Sequence, residues 1–384
     1  MNVKLFGDLA TEAPKAGDTA FVFTVIKALQ KANAFLGMVL YERTAQRFQT
    51  PTYRVINNVN CAIIPFNREM YTPLVEDAFR KALKHLAELA GSNTVPVAIV
   101  YHQDERLLEL QPKSIPFAIT HHAPLVDDVS RFFPGPKDIL DAFGTDTKDP
   151  RKVTELRAMQ TGGLRALQRG ENGFVLAMSD LQGEHFKRSG VRPENIIDFP
   201  PPLQAMLTAH APQANDEQLP NVDRKWFVFT AVARLTFFKN AELLVDAAVI
   251  LLEKDKKLDL SVMIAGGDSS KPHVAIRDSL LTRVPPHLFD HFHIIERIPQ
   301  RELYQYFDNS HVQETGIFVC CSRYETLGFT PLEAALSGVT TVITNTKQIE
   351  AMRYFPEEVR FEANAKALAD LLEALFEEDD LAAV

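Results

Sequence analysis

The strongest constraint on how this chain can fold is a repeated alternation. Short, unbroken apolar runs recur along it, separated by stretches with helical periodicity. The runs lie at 95–101 (VPVAIVY), 116–120 (PFAIT), 173–178 (GFVLAM), 226–233 (WFVFTAVA), 260–265 (LSVMIA), 316–321 (GIFVCC) and 339–344 (VTTVIT). Apolar runs of about five to eight residues without polar alternation suit strands buried on both faces. Helical patterns cover 74–90, 151–169, 241–255 and 364–377. Strand and helix in regular succession predict an α/β fold with parallel sheets. The segment 35–72 fits neither pattern cleanly and joins the first domain only loosely.

The alternation breaks once. FPPPL at 199–203 holds three consecutive prolines, which interrupt any regular element, and a polar stretch follows before the run that starts at Trp226. With 384 residues, two domains joined by this linker are expected. The 41 Lys+Arg against 50 Asp+Glu give a formal charge of -9, which argues against a nucleic-acid binder needing a basic face. The acidic excess falls in the second half and reads as a solvated face. No apolar run approaches the ~20 residues of a membrane span. The start, MNVKLFGDLA, lacks the basic and apolar blocks of a signal peptide, and the three cysteines, Cys61, Cys320 and Cys321, suit a reducing compartment. A cytoplasmic protein without a transmembrane segment is expected; peripheral contact with a membrane stays open.

The most informative stretch is Ser322-Arg-Tyr-Glu325-Thr-Leu-Gly328-Phe-Thr330-Pro331-Leu-Glu333-Ala-Ala-Leu-Ser-Gly338, after the run GIFVCC. Thr330 and Glu333 have capping-box spacing, Pro331 fits a first helical position, and Gly338 fits a left-handed helix terminus. A helix beginning just after Thr330 would aim free N–H groups and its positive end out of the carboxyl edge of a sheet, where ligands of open α/β folds gather. Phosphate suits that helix start. Glu325 and Glu333 would flank it and accept hydrogen bonds from hydroxyls. A ligand with phosphate in the middle and hydroxyl-rich groups at both ends has the form of a nucleotide sugar.

This segment resembles the E-x7-E motif of retaining glycosyltransferases with the GT-B fold, in particular glycosyltransferase family 4. The resemblance implies that Glu325 contacts donor-sugar hydroxyls and Glu333 the nucleotide ribose. It also implies that the backbone amides of Gly328, Phe329 and Thr330 hold the distal phosphate. AVARLTFFKNAELLVDAA at 231–248 is similar to a second family pattern, in which an Arg and a Lys, here Arg234 and Lys239, contact the diphosphate; Asn240 could cap the helix that follows. Gly266, in Ala265-Gly266-Gly267-Asp268, resembles the next strand-end glycine loop. HIIERIP at 293–299 resembles the strand before the base-binding segment, which brings Ile298 near the nucleobase.

In the first half, THH at 120–122 resembles the family's T-x-H, which favours His122 as the histidine facing the donor sugar, with His121 as the alternative. Gly17 is either the glycine that lets the backbone approach the donor phosphate or an ordinary turn glycine; its neighbour Asp18 departs from the paired glycines common there. SDLQGEHFKRSGV at 179–191 looks like the closing segment of the family's first domain.

The implied architecture is two Rossmann-like domains with parallel sheets facing across a cleft: an acceptor-binding domain at 1–205 and a nucleotide-sugar-binding domain at 206–360. A C-terminal helix within 361–384 could pack back on the first domain. The implied activity moves a hexosyl group from a UDP- or GDP-linked sugar to a hydroxyl acceptor, with retention. The near-neutral first half points to a soluble sugar or small metabolite as acceptor. No cofactor is expected, and arginine and lysine would stand in for a metal. His287, His291 and His293 do not complete a zinc ligand set, and no dinucleotide, P-loop or hydrolase-elbow fingerprint is present. A sugar-nucleotide hydrolase or epimerase of the same fold, and a catalytically silent nucleotide- or partner-binding protein, remain as alternatives.

Overall fold

The computed structural model describes residues 17–43, 50–66, 72–89, 91, 98–102, 108, 114–121, 124–143, 149–169, 172–201, 203 and 224–377. The chain divides into two compact units. One takes in 18–127 and 154–201; the other takes in 128–153 and everything from 202 onward.

In the first unit, helix α1 (Gly17–Lys31) precedes β1 (Met38–Arg43), β2 (Thr52–Ile56) and β3 (Val59–Phe66). These strands form a sheet in the order β1-β3-β2, with β1 parallel and β2 antiparallel to β3. The hairpin turns on Asn57 and Asn58, whose φ values of 55° and 59° match a two-residue I′ turn, a left-handed conformation that asparagine tolerates. This accounts for the ambiguity of 35–72: β2 is exposed along most of its length, so its sequence carries no buried-strand signal.

Helix α2 (Thr72–Leu89) packs on β3 and β1. β4 (Ile99–His102) and β5 (Phe117–Thr120) follow. The chain then passes through α3 (Val126–Phe132) and α4 (Pro136–Ala142), which fall almost wholly in the second unit, and returns to the first with α5 (Arg151–Gln168), β6 (Gly173–Ala177), α6 (Asp180–Arg188) and β7 (Ile196–Asp198). β4 to β7 make a parallel sheet in sequence order. Ala62, Ile64, Phe79, Tyr101, Phe117, Val175 and Phe186 share one core, so both sheets of this unit contribute to it. Ser179 caps α6, its side chain accepting from the backbone of Gln182.

The second unit is built on β8 (Trp226–Val232), α7 (Ala241–Lys254), β9 (Leu260–Gly266), α8 (Lys271–Leu281), β10 (Phe292–Ile295) and α9 (Gln300–Phe307). It continues through α10 (Ser310–Thr315), β11 (Gly316–Cys320), α11 (Phe329–Leu336), β12 (Thr340–Thr344), β13 (Arg360–Phe361) and α12 (Ala365–Phe376). Its six strands are parallel, in the order β10-β9-β8-β11-β12-β13. Every residue of β9, β11 and β12 is buried, as expected of strands covered on both faces.

The chain moves outward from β8 to β10, returns beside β8 at β11, and then moves outward the other way. The order reverses between β8 and β11. In doubly wound sheets, the crevice beyond the strand ends at such a reversal is where ligands bind.

The helix at the C-terminus packs along α7 within this unit. Leu368, Leu372 and Leu375 enter its core, and Phe376 stacks on Trp226 at 5.0 Å. The apolar stripe of α12 is thus used on α7 within this unit. Among the described residues, no helix is long and apolar enough to cross a membrane.

Candidate active site

Two loops meet at the reversal. The first, 233–240, follows β8. Leu235 and Phe238 anchor it in buried positions, and Lys239 and Asn240 donate through their backbone N–H groups to the Thr236 carbonyl at 2.9 and 3.2 Å. With its apolar residues turned inward, the loop presents its cations: Arg234 is exposed and Lys239 is half-buried. Asn240 stands at the N-cap of α7 with φ 51° but makes no side-chain cap bond. The expected cap is therefore corrected: in the left-handed conformation the asparagine serves the turn instead.

The second loop follows β11 and carries Glu325. Its backbone N–H donates to the Gln348 carbonyl at 2.9 Å. Ser322 donates to Glu325 Oε1 at 2.8 Å, and the Lys239 ammonium pairs with the same oxygen. A cation and a carboxylate taken from the ends of two neighbouring strands thus meet.

Arg323 ties the two loops together. Its backbone N–H donates to the Phe238 carbonyl at 2.7 Å, and its guanidinium donates to the Phe237 carbonyl. The guanidinium lies over the Phe237 ring at 4.1 Å and reaches Glu242 at 3.3 Å. Asp141, from α4, accepts from the Phe237 backbone N–H. Burial raises its carboxyl, opposed by that bond and by the charge of Arg234.

Helix α11 begins at Phe329, with Gly328 as N-cap at φ 94° and no side-chain cap bond. This corrects the expected capping box, because Thr330 and Pro331 already lie inside the helix. Gly328 performs the turn: its φ is in the left-handed region, and a Cβ there would stand 2.9 Å from the Ala351 Cβ. The first-turn amides of Phe329 and Thr330 have no intrahelical acceptor, so the helix start keeps its donors and positive end for an anion. At the other terminus Gly338, φ 86°, takes the left-handed position expected of it.

Glu333 is not the partner of Thr330. It is 2% exposed, and Oε1 accepts from Tyr304 Oη at 2.9 Å and from Gln300 Nε2 at 3.0 Å. Burial pushes its carboxyl up to about 7, against the two hydrogen bonds, which favour the ionised form. Burial also raises the Tyr304 phenol, as does the neighbouring Glu333 charge.

The remaining expected residues scatter more widely. Gly266 closes β9 and accepts at its carbonyl from Arg277 at 3.1 Å. Ile298 lies in the loop after β10, partly buried against the core. Gly17 is the first residue of α1 rather than part of a loop ahead of it. His122 lies outside the described residues. His121 is buried at the end of β5, edge-on to Phe186 at 5.6 Å, and its carbonyl accepts from Gln182 Nε2. His287 faces Glu253 at 3.0 Å, and His291 reaches the Leu260 carbonyl at 2.8 Å. Among the described residues, no group of three His, Cys, Asp or Glu side chains is placed to hold a metal ion.

The sequence alone did not single out Gln300, Tyr304, Arg323 or Asp141. Gln300 and Tyr304 are spaced to share one face of a helix, but nothing local connects them to a glutamate about thirty positions away.

Comparison with known proteins gives these features a context. Residues 213–383 match the family model described as Glycosyl transferases group 1. A curated relative, mannosylfructose-phosphate synthase of Agrobacterium fabrum, is 29% identical over 118 residues, which is 30% of this chain and 25% of the relative. This chain thus matches a quarter of that protein's length. Among solved structures, sucrose-phosphate synthase from Thermosynechococcus elongatus superposes with a TM-score of 0.62 at 16% identity, covering 96% of this chain and 87% of the other. An alpha,alpha-trehalose 6-phosphate synthase from Burkholderia multivorans superposes with a TM-score of 0.60 at 13% identity, covering 96% and 88%. The likeness establishes the fold: two Rossmann-like domains of the GT-B type.

Proposed function

We propose that this chain, a glycosyltransferase of group 1 on the GT-B fold, moves a hexosyl group from a UDP- or GDP-linked sugar to a hydroxyl of a soluble sugar or small metabolite. The anomeric configuration is retained. The observation that carries the reading is the meeting of Lys239 and Glu325 at the point where the strand order reverses. One end of the donor wants cations and the other wants carboxylates, and this arrangement supplies both within one hydrogen bond of each other.

In the proposed reaction Lys239, Arg234 and the start of α11 stabilise the negative charge that develops on the leaving diphosphate. The amides of Gly328, Phe329 and Thr330 hold its distal phosphate. Glu325 orients the sugar through its hydroxyls, and Glu333 accepts from the ribose. The acceptor hydroxyl attacks the anomeric carbon on the face from which the diphosphate departs. The C–O bond to the diphosphate breaks, and the acceptor's proton passes to the departing phosphate oxygen. The scheme requires no protein nucleophile and no cofactor or metal ion.

The names of the matched relatives favour sugar phosphates as the first acceptors to try. The test is product analysis: UDP- and GDP-linked glucose and mannose, each with free and phosphorylated hexoses, followed by proton NMR of the anomeric centre. An α-linked product from an α-linked donor supports the reading. An inverted product rejects retention. Free sugar as the sole product, with every acceptor, would indicate hydrolysis and reject transfer.

A further inference from the structure

The contacts of Glu333 go beyond what the paired-glutamate pattern requires. Gln300, Tyr304 and Glu333 form a closed triangle. Gln300 Nε2 donates to Tyr304 Oη at 2.6 Å and to Glu333 Oε1 at 3.0 Å, and Tyr304 Oη donates to the same Oε1 at 2.9 Å. Their exposures are 7%, 2% and 2%. The amide nitrogen of Gln300 gives to both partners, while its own oxygen is buried without one. A buried acceptor left unmet is unusual, and here it accompanies an amide turned to supply hydrogens to a carboxylate. Both donors converge on Oε1, and neither bonds to Oε2.

We infer that Gln300 and Tyr304 are positioning residues for donor ribose: they hold Glu333 as a fixed acceptor and so make the site select ribonucleotides over 2′-deoxyribonucleotides. The inference rests on the proposed role of Glu333. A carboxylate buried this deeply tends to hold its proton, and a protonated carboxyl at Oε2 would offer a donor where a hydroxyl also offers one. The two hydrogen bonds oppose that tendency. Burial is the largest influence on the group. Besides α9, the elements packed on α11 are β11, β12 and the turn at 350–354. Tyr304 is the titratable group that faces Glu333; among the described residues, no charged side chain from any of these elements figures among the influences on it.

The test measures dissociation constants for UDP, GDP and ADP, each beside its 2′-deoxy form, between pH 6 and 9. The proteins are the native chain, Tyr304→Phe and Glu333→Gln. The diphosphate is common to each pair, so its own ionisation cancels in the ratio. For the native chain the ratio should favour ribose by ~10-fold or more at pH 8 and shrink towards pH 6. A hydrogen bond to a charged group is worth about one to two pK units. Tyr304→Phe should therefore lose ribose preference by ~5-fold or more at pH 7 and regain it towards pH 9. Glu333→Gln should show a ratio that does not change with pH.

A packing role alone would weaken both members of each pair equally and leave the pH midpoint unmoved, and that result overturns the inference while leaving nucleotide binding intact. If no nucleotide binds the native chain at millimolar concentration, the functional reading fails, and the inference with it.

Discussion

Replacing Lys239 with alanine should separate stability from activity. The Lys239 and Glu325 side chains are 28% and 20% exposed, so the pair is partly screened by solvent and contributes about 1 kcal/mol to folding. Glu325 keeps the Ser322 hydroxyl at 2.8 Å in the variant and is not left bare. The loop itself is held by backbone bonds to Thr236 and by Arg323, neither of which uses the lysine side chain. The change should therefore leave the loop in place and remove one cation from the leaving diphosphate. Loss of one such stabilising group costs about 2.7–4 kcal/mol of transition-state energy, or ~10²–10³ in kcat. Urea unfolding and initial-rate kinetics on the same preparation give both numbers. A variant within threefold of native kcat would refute the role assigned to Lys239. A stability loss above about 3 kcal/mol, with activity lost in proportion to unfolding, would refute the division of labour between loop and side chain.

Other consequences follow from the same geometry. Gly328→Ala must place a Cβ in the left-handed region and 2.9 Å from Ala351; a stability loss of about 2–4 kcal/mol is expected in denaturant titration, together with weaker nucleotide binding. Arg323→Ala removes the guanidinium from the Phe237 carbonyl, the Phe237 ring and Glu242, and should lower kcat by ~10-fold or more through a loosened loop, with Arg323→Lys recovering only part because it cannot make the forked contact. For Glu333 the folded carboxyl sits at about 7 against an ordinary 4.5, so the folded state holds the extra proton between these values. Stability relative to Glu333→Gln should therefore be fully present below pH 4.5, fall as pH rises to 7 by about 3 kcal/mol, and flatten above. Thermal or urea unfolding across that range checks both sign and size.

The second unit was the more legible half of the sequence. Its strands are buried on both faces, so their residues form apolar runs that stand out without alternation, and β8, β9, β11 and β12 fall where those runs lie. The first unit mixes a parallel sheet with a hairpin whose outer strand faces solvent, and there the pattern blurs. The paired glutamates and the Arg–Lys loop proposed for the site stand out in the sequence because each pattern is confined to a few neighbouring positions.

The contacts that give these residues their chemistry were hidden. The pairing of Lys239 with Glu325 and of Tyr304 with Glu333 crosses 86 and 29 positions, a distance set by strand order and not by local spacing. The capping-box reading of Thr330 and Glu333 failed for a related reason. A motif names a local bond that the residues can make, but the neighbouring helix α9 offered Glu333 two buried donors, and the helix start was fixed by the backbone conformation of Gly328 instead.

The most direct test of the central claim is thermal unfolding of the native chain with UDP, GDP, ADP, TDP and CDP and their common sugars at millimolar concentration. A ligand at 100 times its dissociation constant adds about 2.7 kcal/mol. The account predicts a clear rise in unfolding temperature with one nucleoside diphosphate and its sugar, reduced in Lys239→Ala. No rise with any of them, or a rise that Lys239→Ala leaves unchanged, would contradict a donor site at the junction of the two loops.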